Sequence, residues 1–110
     1  MFEEVKKVKI LLVCNAGMST SLLVEKMKKE ATNLGHGDAK IDAETIDENK
    51  NIIENYDVVL LGPQVRFQED YVKQLCGKCN KKYGIIPSMM YGMVDGKKTF
   101  EFALEILKEG

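Results

Sequence analysis

The clearest structural signal in the chain is the run Val8-Lys9-Ile10-Leu11-Leu12-Val13-Cys14, which is almost continuously apolar. A second run, Val58-Val59-Leu60-Leu61-Gly62, has the same character. Strands that are covered on both faces show this pattern, whereas half-exposed strands alternate apolar with polar residues. We therefore expect two central strands, over residues 8–14 and 57–62.

Further strands and helices are predicted around these two. Residues 39–46 alternate apolar with polar, which favours an edge strand, and residues 84–88 form a fourth short apolar run. Apolar residues recur at helical spacing over 18–34, 68–82 and 96–109, and residues 51–55 could add a turn or two. Gly35 would end the first helix and Asp95 would cap the last. Alternating strands and helices predict a three-layer, doubly wound α/β fold with a parallel sheet and helices on both faces.

Composition limits the class of protein. The 110 residues are 45% hydrophobic and include 16 basic and 17 acidic side chains, which suits a single domain over 1–110 that needs neither metal nor disulfides. The net charge of -1 gives no reason to expect nucleic-acid binding. The N-terminus has acids where an export signal needs bases, and no apolar run is long enough to span a bilayer. We therefore expect a cytoplasmic protein.

The most informative segment follows the first predicted strand and reads Cys14-Asn15-Ala16-Gly17-Met18-Ser19-Thr20-Ser21. Ligands bind at this end of parallel strands in open α/β sheets. Small and hydroxylic residues that lead into a helix let successive amides point at a phosphate, and the helix N-terminus adds positive charge. The same field would favour the Cys14 thiolate. The segment therefore predicts a nucleophile, Cys14, within a phosphate-binding loop.

A cysteine that opens a phosphate loop is typical of the low-molecular-weight tyrosine phosphatases, in which five residues and then Arg-Ser follow the cysteine. Here Thr20-Ser21 stands at that place, so the arginine that would clamp the phosphoryl oxygens is absent. A cysteine phosphatase is therefore an alternative rather than the first hypothesis, and a non-catalytic phosphate-binding module is a third. The chain has no Gly-Lys-Ser/Thr loop after this strand and no dinucleotide fingerprint, so ATP and NAD are not supported.

Three separated blocks resemble the enzyme IIB component of the bacterial phosphotransferase system, lactose/cellobiose family. They are residues 14–23, 57–64 and 91–96, the last reading Tyr-Gly-Met-Val-Asp-Gly. The resemblance implies strand order 2-1-3-4, as well as phosphorylation of Cys14 by the phosphohistidine of enzyme IIA. It also implies transfer to a sugar held by the membrane component, enzyme IIC, on which the protein would dock transiently. A β-disaccharide is expected, with lactose, cellobiose and chitobiose all open. The resemblance places the phosphate loop at Asn15, Ala16, Gly17, Met18, Ser19, Thr20 and Ser21.

Several residues outside the loop are candidates for partner contacts or for reactive side chains. Pro63, Gln64, Met90 and Tyr91 are candidate partner contacts, because they follow the third and fourth strands at the active edge. The spacing of Cys76 and Cys79 is that of a redox pair, but the pair falls late in a helix and is interpreted as structural. His36 lies between glycines and is expected to be an exposed loop residue. No metal or organic cofactor is implied, because positioning and electrostatics carry most of a phosphoryl transfer.

Overall fold

Four parallel strands organise the chain. The computed structural model describes residues 8–13, 18–44 and 52–108. Its strands are β1 (Lys9–Val13), β2 (Lys40–Glu44), β3 (Val58–Leu61) and β4 (Lys82–Ile85), in the order β2-β1-β3-β4. In the register, Ile10 lies opposite both Ile41 and Val58. The predicted order, the parallel pairing and the central position of the two most apolar strands are confirmed.

Both faces of the sheet are covered, which explains the continuous apolar runs. Successive side chains of a strand point to opposite faces. Ile10 and Leu12 belong to a core shared with two helices, whereas Leu11 and Val13 belong to a second core on the other face. All four are at most 1% exposed. The chain therefore has three layers, as predicted.

The described residues also form four α-helices and two 3-10 segments, and the last two helices follow the last strand. The 3-10 segments are Ile52–Asn55, where a helical turn was expected, and Pro63–Gln68, which was not predicted. One face of the sheet carries α1 and α4, and the other carries α2 and both 3-10 segments. None of the described helices combines the length and apolarity needed to cross a bilayer. The helices are α1 (Met18–Asn33), α2 (Glu69–Cys79), α3 (Ser88–Gly92) and α4 (Gly96–Lys108).

The predicted boundaries of α1 and α4 are confirmed to within a residue or two. Gly35, with φ of 87°, follows the end of α1 in the left-handed region that glycine adopts freely. At the start of α4, the Lys98 N–H donates a hydrogen bond of 3.0 Å to Asp95 Oδ1. Asp95 is therefore the N-cap that the sequence predicted.

The prediction that the helix beginning near residue 68 runs to Lys82 is wrong. Asn80 adopts a left-handed conformation, with φ of 58° and ψ of 40°, and its N–H donates to the carbonyls of Cys76 and Gly77. The helix therefore ends at Cys79, and β4 starts at Lys82, two residues earlier than expected. It also ends earlier, at Ile85, because Ser88 begins the short helix α3, which the sequence analysis missed.

Candidate active site at the carboxyl edge of the sheet

The predicted nucleophile, Cys14, lies in the sequence between the central strand β1 and the helix α1. β1 ends at Val13 and α1 begins at Met18, so Cys14, Asn15, Ala16 and Gly17 span the connection, and these four lie outside the described residues. The other predicted loop residues, Met18, Ser19, Thr20 and Ser21, form the first turn of α1. The predicted phosphate loop is thus half connection and half helix.

The start of α1 has the electrostatics of an anion site. The first four N–H groups of any α-helix have no acceptor within the helix, and the aligned peptide dipoles make this end positive. No acidic residue occupies the first turn of α1, so that turn itself offers these donors no carboxylate. The arrangement suits a phosphoryl dianion bound beside a thiolate.

The ends of three strands are tied together at this edge. The Gly62 N–H, just beyond β3, donates to the carbonyl of Val13 at 3.1 Å, and the Ile86 N–H, just beyond β4, donates to the carbonyl of Leu61 at 2.8 Å. Val13 immediately precedes Cys14. The peptide that leads into the predicted nucleophile is therefore held by the neighbouring strand end.

Gly62 lies in a crowded place at this edge. A Cβ atom at this position would lie 2.9 Å from Gln64 Oε1, 3.3 Å from Tyr91 Cε2 and 3.6 Å from the Val13 carbonyl oxygen. Its φ of -65° and ψ of 152° are open to any residue, so the space rather than the backbone conformation favours glycine. The edge thus brings Gly62 of the 57–64 block and Tyr91 of the 91–96 block next to Val13, which immediately precedes the 14–23 block.

The four predicted partner contacts differ in exposure. Gln64 is exposed and Pro63 half-buried, and these two stay candidate contacts. Tyr91 is only 8% exposed, and Met90 packs against the core shared with α1 and α4. The exposed large side chains of this segment are Met89, within α3, and Met93, directly after it, at 76% and 70% exposed. Because α3 was not predicted, the buried residues of this segment could not be separated from the exposed ones.

The other two cysteines have the environment of structural thiols. Cys76 is 1% exposed in the core on the α2 face, and burial raises the pKa of its thiol to about 11. It is therefore protonated at neutral pH and a poor nucleophile. Cys79 is half-buried near the end of α2. Among the described residues, no three metal-ligating side chains gather into a cluster.

The expectation of an exposed His36 is wrong. The imidazole lies edge-on to the Phe100 ring, with centroids 5.6 Å apart, and the side chain is half-buried. The turn holds it there, because the His36 N–H donates to the Ala31 carbonyl at 2.7 Å. His36 precedes β2 and so lies near the amino ends of the strands, the edge opposite the predicted phosphate loop.

Comparison with known proteins identifies the family. The family model described as "PTS system, Lactose/Cellobiose specific IIB subunit" matches residues 9–102. The chain belongs to this IIB family. As a IIB subunit, it is a phosphotransferase component of a sugar phosphotransferase system, and it works with the other components of such a system.

Relatives support this membership over nearly the whole chain. An oligo-β-mannoside-specific EIIB component from Bacillus subtilis is 43% identical, with 90% of this chain and 95% of the relative covered. A cellobiose-specific EIIB component from Lactococcus lactis is 37% identical, with 89% and 94% covered. Among solved structures, a cellobiose-specific IIB protein from Borrelia burgdorferi matches with a TM-score of 0.69 and 32% identity, covering 94% of each chain. The lactose-specific IIB domain from Streptococcus pneumoniae, at 22% identity, shares the fold, with a TM-score of 0.80 over 94% of this chain and 100% of that domain.

Proposed function

We propose that this IIB chain carries a phosphoryl group on Cys14, taking it from a phosphohistidine of enzyme IIA and passing it to a sugar held by the membrane enzyme IIC. The observation that carries the proposal is the position of Cys14, directly after the buried central strand β1 and four residues before α1. Of the three cysteines in the sequence of this IIB chain, Cys14 is the one that lies between the end of a strand and the start of a helix. Cys76 and Cys79 both lie within α2.

The chemistry is two in-line displacements. In the first, the Cys14 thiolate forms an S–P bond as the N–P bond of phosphohistidine breaks, and the imidazole leaves with the bonding pair. In the second, a sugar hydroxyl forms an O–P bond as the S–P bond breaks; the hydroxyl proton goes to a base, and the thiolate is restored. Such transfers depend mainly on alignment and on stabilising charge on the phosphoryl oxygens. The amides of residues 15–21, together with the hydroxyls of Ser19, Thr20 and Ser21, would supply that stabilisation.

Carrier chemistry is favoured over hydrolysis by two features. Thr20 stands where a phosphatase of this type has its arginine clamp, so the transition state for attack by water lacks its main stabilising cation. A phosphatase would also need a general acid, and Asp95 is a candidate because it follows the fourth strand, but its Oδ1 accepts a hydrogen bond of 3.0 Å from the Lys98 N–H as the cap of α4. The phosphocysteine should therefore be bound well and hydrolysed slowly.

The sugar is proposed to be a β-linked disaccharide or oligosaccharide. The relatives carry names that specify oligo-β-mannoside, cellobiose and galactose systems. The first of these shares the highest identity of the three, so a β-linked mannoside or glucoside is the class to test first.

The fate of the phosphoryl group tests the proposal. The wild type and the Cys14→Ser and Cys79→Ser variants are incubated with phosphorylated enzyme IIA, and intact mass is followed over time alongside released phosphate. We expect one persistent phosphoryl group on the wild type and on Cys79→Ser, and none on Cys14→Ser, because a serine hydroxyl stays protonated where the thiol ionises. Turnover of a small aryl phosphate that is lost in both Cys14→Ser and Asp95→Asn would instead establish a phosphatase.

A further inference from the structure

We propose that Gly62 and Tyr91 are positioning residues for Cys14: the missing side chain at Gly62 lets the Tyr91 ring close over the strand end that fixes the Val13 peptide. The proposal deepens the phosphocarrier function and rests on it for the role of Cys14. Neither residue need touch the phosphoryl group, because both act through the backbone that precedes the nucleophile.

The first step of the argument is the hydrogen bond from the Gly62 N–H to the Val13 carbonyl, at 3.1 Å. This bond continues the parallel pairing of β3 with β1 one residue beyond Leu61, the last residue of β3. It therefore sets the direction in which the chain leaves β1. The next residue is Cys14, so a shift of Gly62 is passed directly to the start of the phosphate loop.

The second step is the contact above Gly62. Tyr91 is 8% exposed, and its Cε2 atom lies 3.3 Å from where a Cβ at Gly62 would stand. A side chain at this position therefore requires the ring or the strand end to shift by a few tenths of an ångström, and a larger side chain requires more. Gln64 Oε1 lies closer, at 2.9 Å, but it is the end of an exposed, flexible side chain and can rotate away.

The third step concerns the backbone that carries the Tyr91 ring. Its backbone N–H donates to the Pro87 carbonyl at 3.1 Å, and its carbonyl accepts from the Val94 N–H at 3.1 Å. Val94 has φ of 51°, a left-handed conformation that a β-branched residue adopts only when its surroundings impose it. The backbone that carries the ring is therefore held on both sides of Tyr91, which favours movement of the strand end over retreat of the whole residue.

The test uses Gly62→Ala and Gly62→Val as graded variants, because Gly62 has a backbone conformation that either residue adopts without strain. The matched control is Gly84→Ala, which also crowds a packed glycine. Its Cβ would meet the Ile106 and Phe102 side chains on the α4 face, away from the carboxyl edge. Two readouts are compared: the rate of phosphoryl transfer from phosphorylated enzyme IIA at saturating donor, and the pH profile of iodoacetamide alkylation at Cys14, resolved by peptide mass.

Misplacement of a reacting atom by about 1 Å can cost on the order of a hundred-fold in rate. We expect transfer to slow by about ten-fold in Gly62→Ala and by up to about a hundred-fold in Gly62→Val. The alkylation midpoint should rise towards the ordinary thiol range in the same order, because a helix N-terminus favours a thiolate only at close range. Gly84→Ala should keep the wild-type midpoint and saturating rate, whatever its effect on stability.

A variant of Tyr91 tests the ring contact. Tyr91→Leu removes the ring carbon that faces Gly62, and it should slow transfer and raise the alkylation midpoint as Gly62→Ala does. In the double variant Gly62→Ala/Tyr91→Leu, the transfer rate should fall by less than the product of the two single-variant factors, because both changes act through one contact.

Three results would overturn the proposal: a wild-type alkylation midpoint in Gly62→Val, a wild-type transfer rate and midpoint in Tyr91→Leu, or the same midpoint shift in Gly84→Ala. These outcomes are distinct from failure of the proposed function. If the wild type accepts no phosphoryl group on Cys14, the carrier role fails, while the alkylation profiles still report whether Gly62 positions the thiol.

Discussion

Replacing Gly96 with alanine should destabilise the fold, although alanine is the better helix former. Gly96 begins α4 where this helix crosses α1, and a Cβ there would lie 2.6 Å from the carbonyl carbon of Lys26 and 2.8 Å from the Met27 nitrogen. These are backbone atoms in the middle of α1 and cannot rotate away. Restoring an ordinary 3.4 Å contact to Lys26 would require α4 to move outward by about 0.8 Å.

The magnitude follows from two opposed effects. Glycine to alanine within a helix gains about 1 kcal/mol at most. Overpacking of this kind costs about 1–3 kcal/mol, and the shift would also loosen Phe100 and Ala103, both fully buried on the same helix. We expect Gly96→Ala to lower the free energy of unfolding by about 2 kcal/mol.

Urea denaturation followed by far-UV circular dichroism measures the change. The matched variant is Gly77→Ala, which lies exposed within α2 with no neighbouring atom within 4 Å of its Cβ. It should raise the free energy of unfolding by about 0.5–1 kcal/mol. A Gly96→Ala protein as stable as the wild type, or more stable, would refute the close helix crossing.

Two further predictions concern the cap of α4 and the buried thiol. Asp95→Ala should cost about 1 kcal/mol of stability through loss of the bond to the Lys98 N–H, whereas Asp95→Asn, which can still cap, should cost less; urea midpoints of the two variants check this. Burial raises the pKa of Cys76 to about 11. Between the ordinary thiol range and pH 11, the unfolded chain therefore loses a proton that the native state keeps. The free energy of unfolding should fall as the pH rises through this window. This decline should be smaller in Cys76→Ala than in the wild type. Equal declines in the two would contradict the raised pKa of Cys76.

The central part of the fold could be predicted because its causes are local in the sequence. Burial on both faces requires apolar side chains at every position, and this produced the uninterrupted runs that became β1 and β3. The N-cap at Asp95 was equally readable, since a short carboxylate before an amphipathic run is a local signal. The order of the strands, in contrast, came from the family resemblance.

The errors arose where tertiary contacts or backbone conformation decided the outcome. Lys81 and Lys82 fit a helical pattern, but Asn80 in the left-handed region had already ended α2. Asparagine is a known helix stop, so this signal was available. The buried side of His36 was not predictable from its flanking glycines, because Phe100, 64 positions later in the sequence, supplies the contact.

The candidate site divides in the same way. The strand, the small and hydroxylic loop and the helix start are contiguous, so the sequence alone pointed to residues 14–21. Gly62 and Tyr91, in contrast, follow different strands and are far apart in the sequence. Only the assembled sheet places them next to each other and to the Val13 carbonyl. For the same reason, the sequence could not separate the buried Tyr91 from the exposed Met89 and Met93.

The most direct test of the account is to locate the phosphoryl group on the wild-type protein. After brief incubation with phosphorylated enzyme IIA, the chain is digested under conditions that preserve phosphocysteine, and its peptides are mapped by mass. The account predicts one added phosphoryl group, on the peptide that contains Cys14, and none on the peptides that contain His36, Cys76 or Cys79. A phosphoryl group on any of those three residues, with Cys14 unmodified, would contradict it.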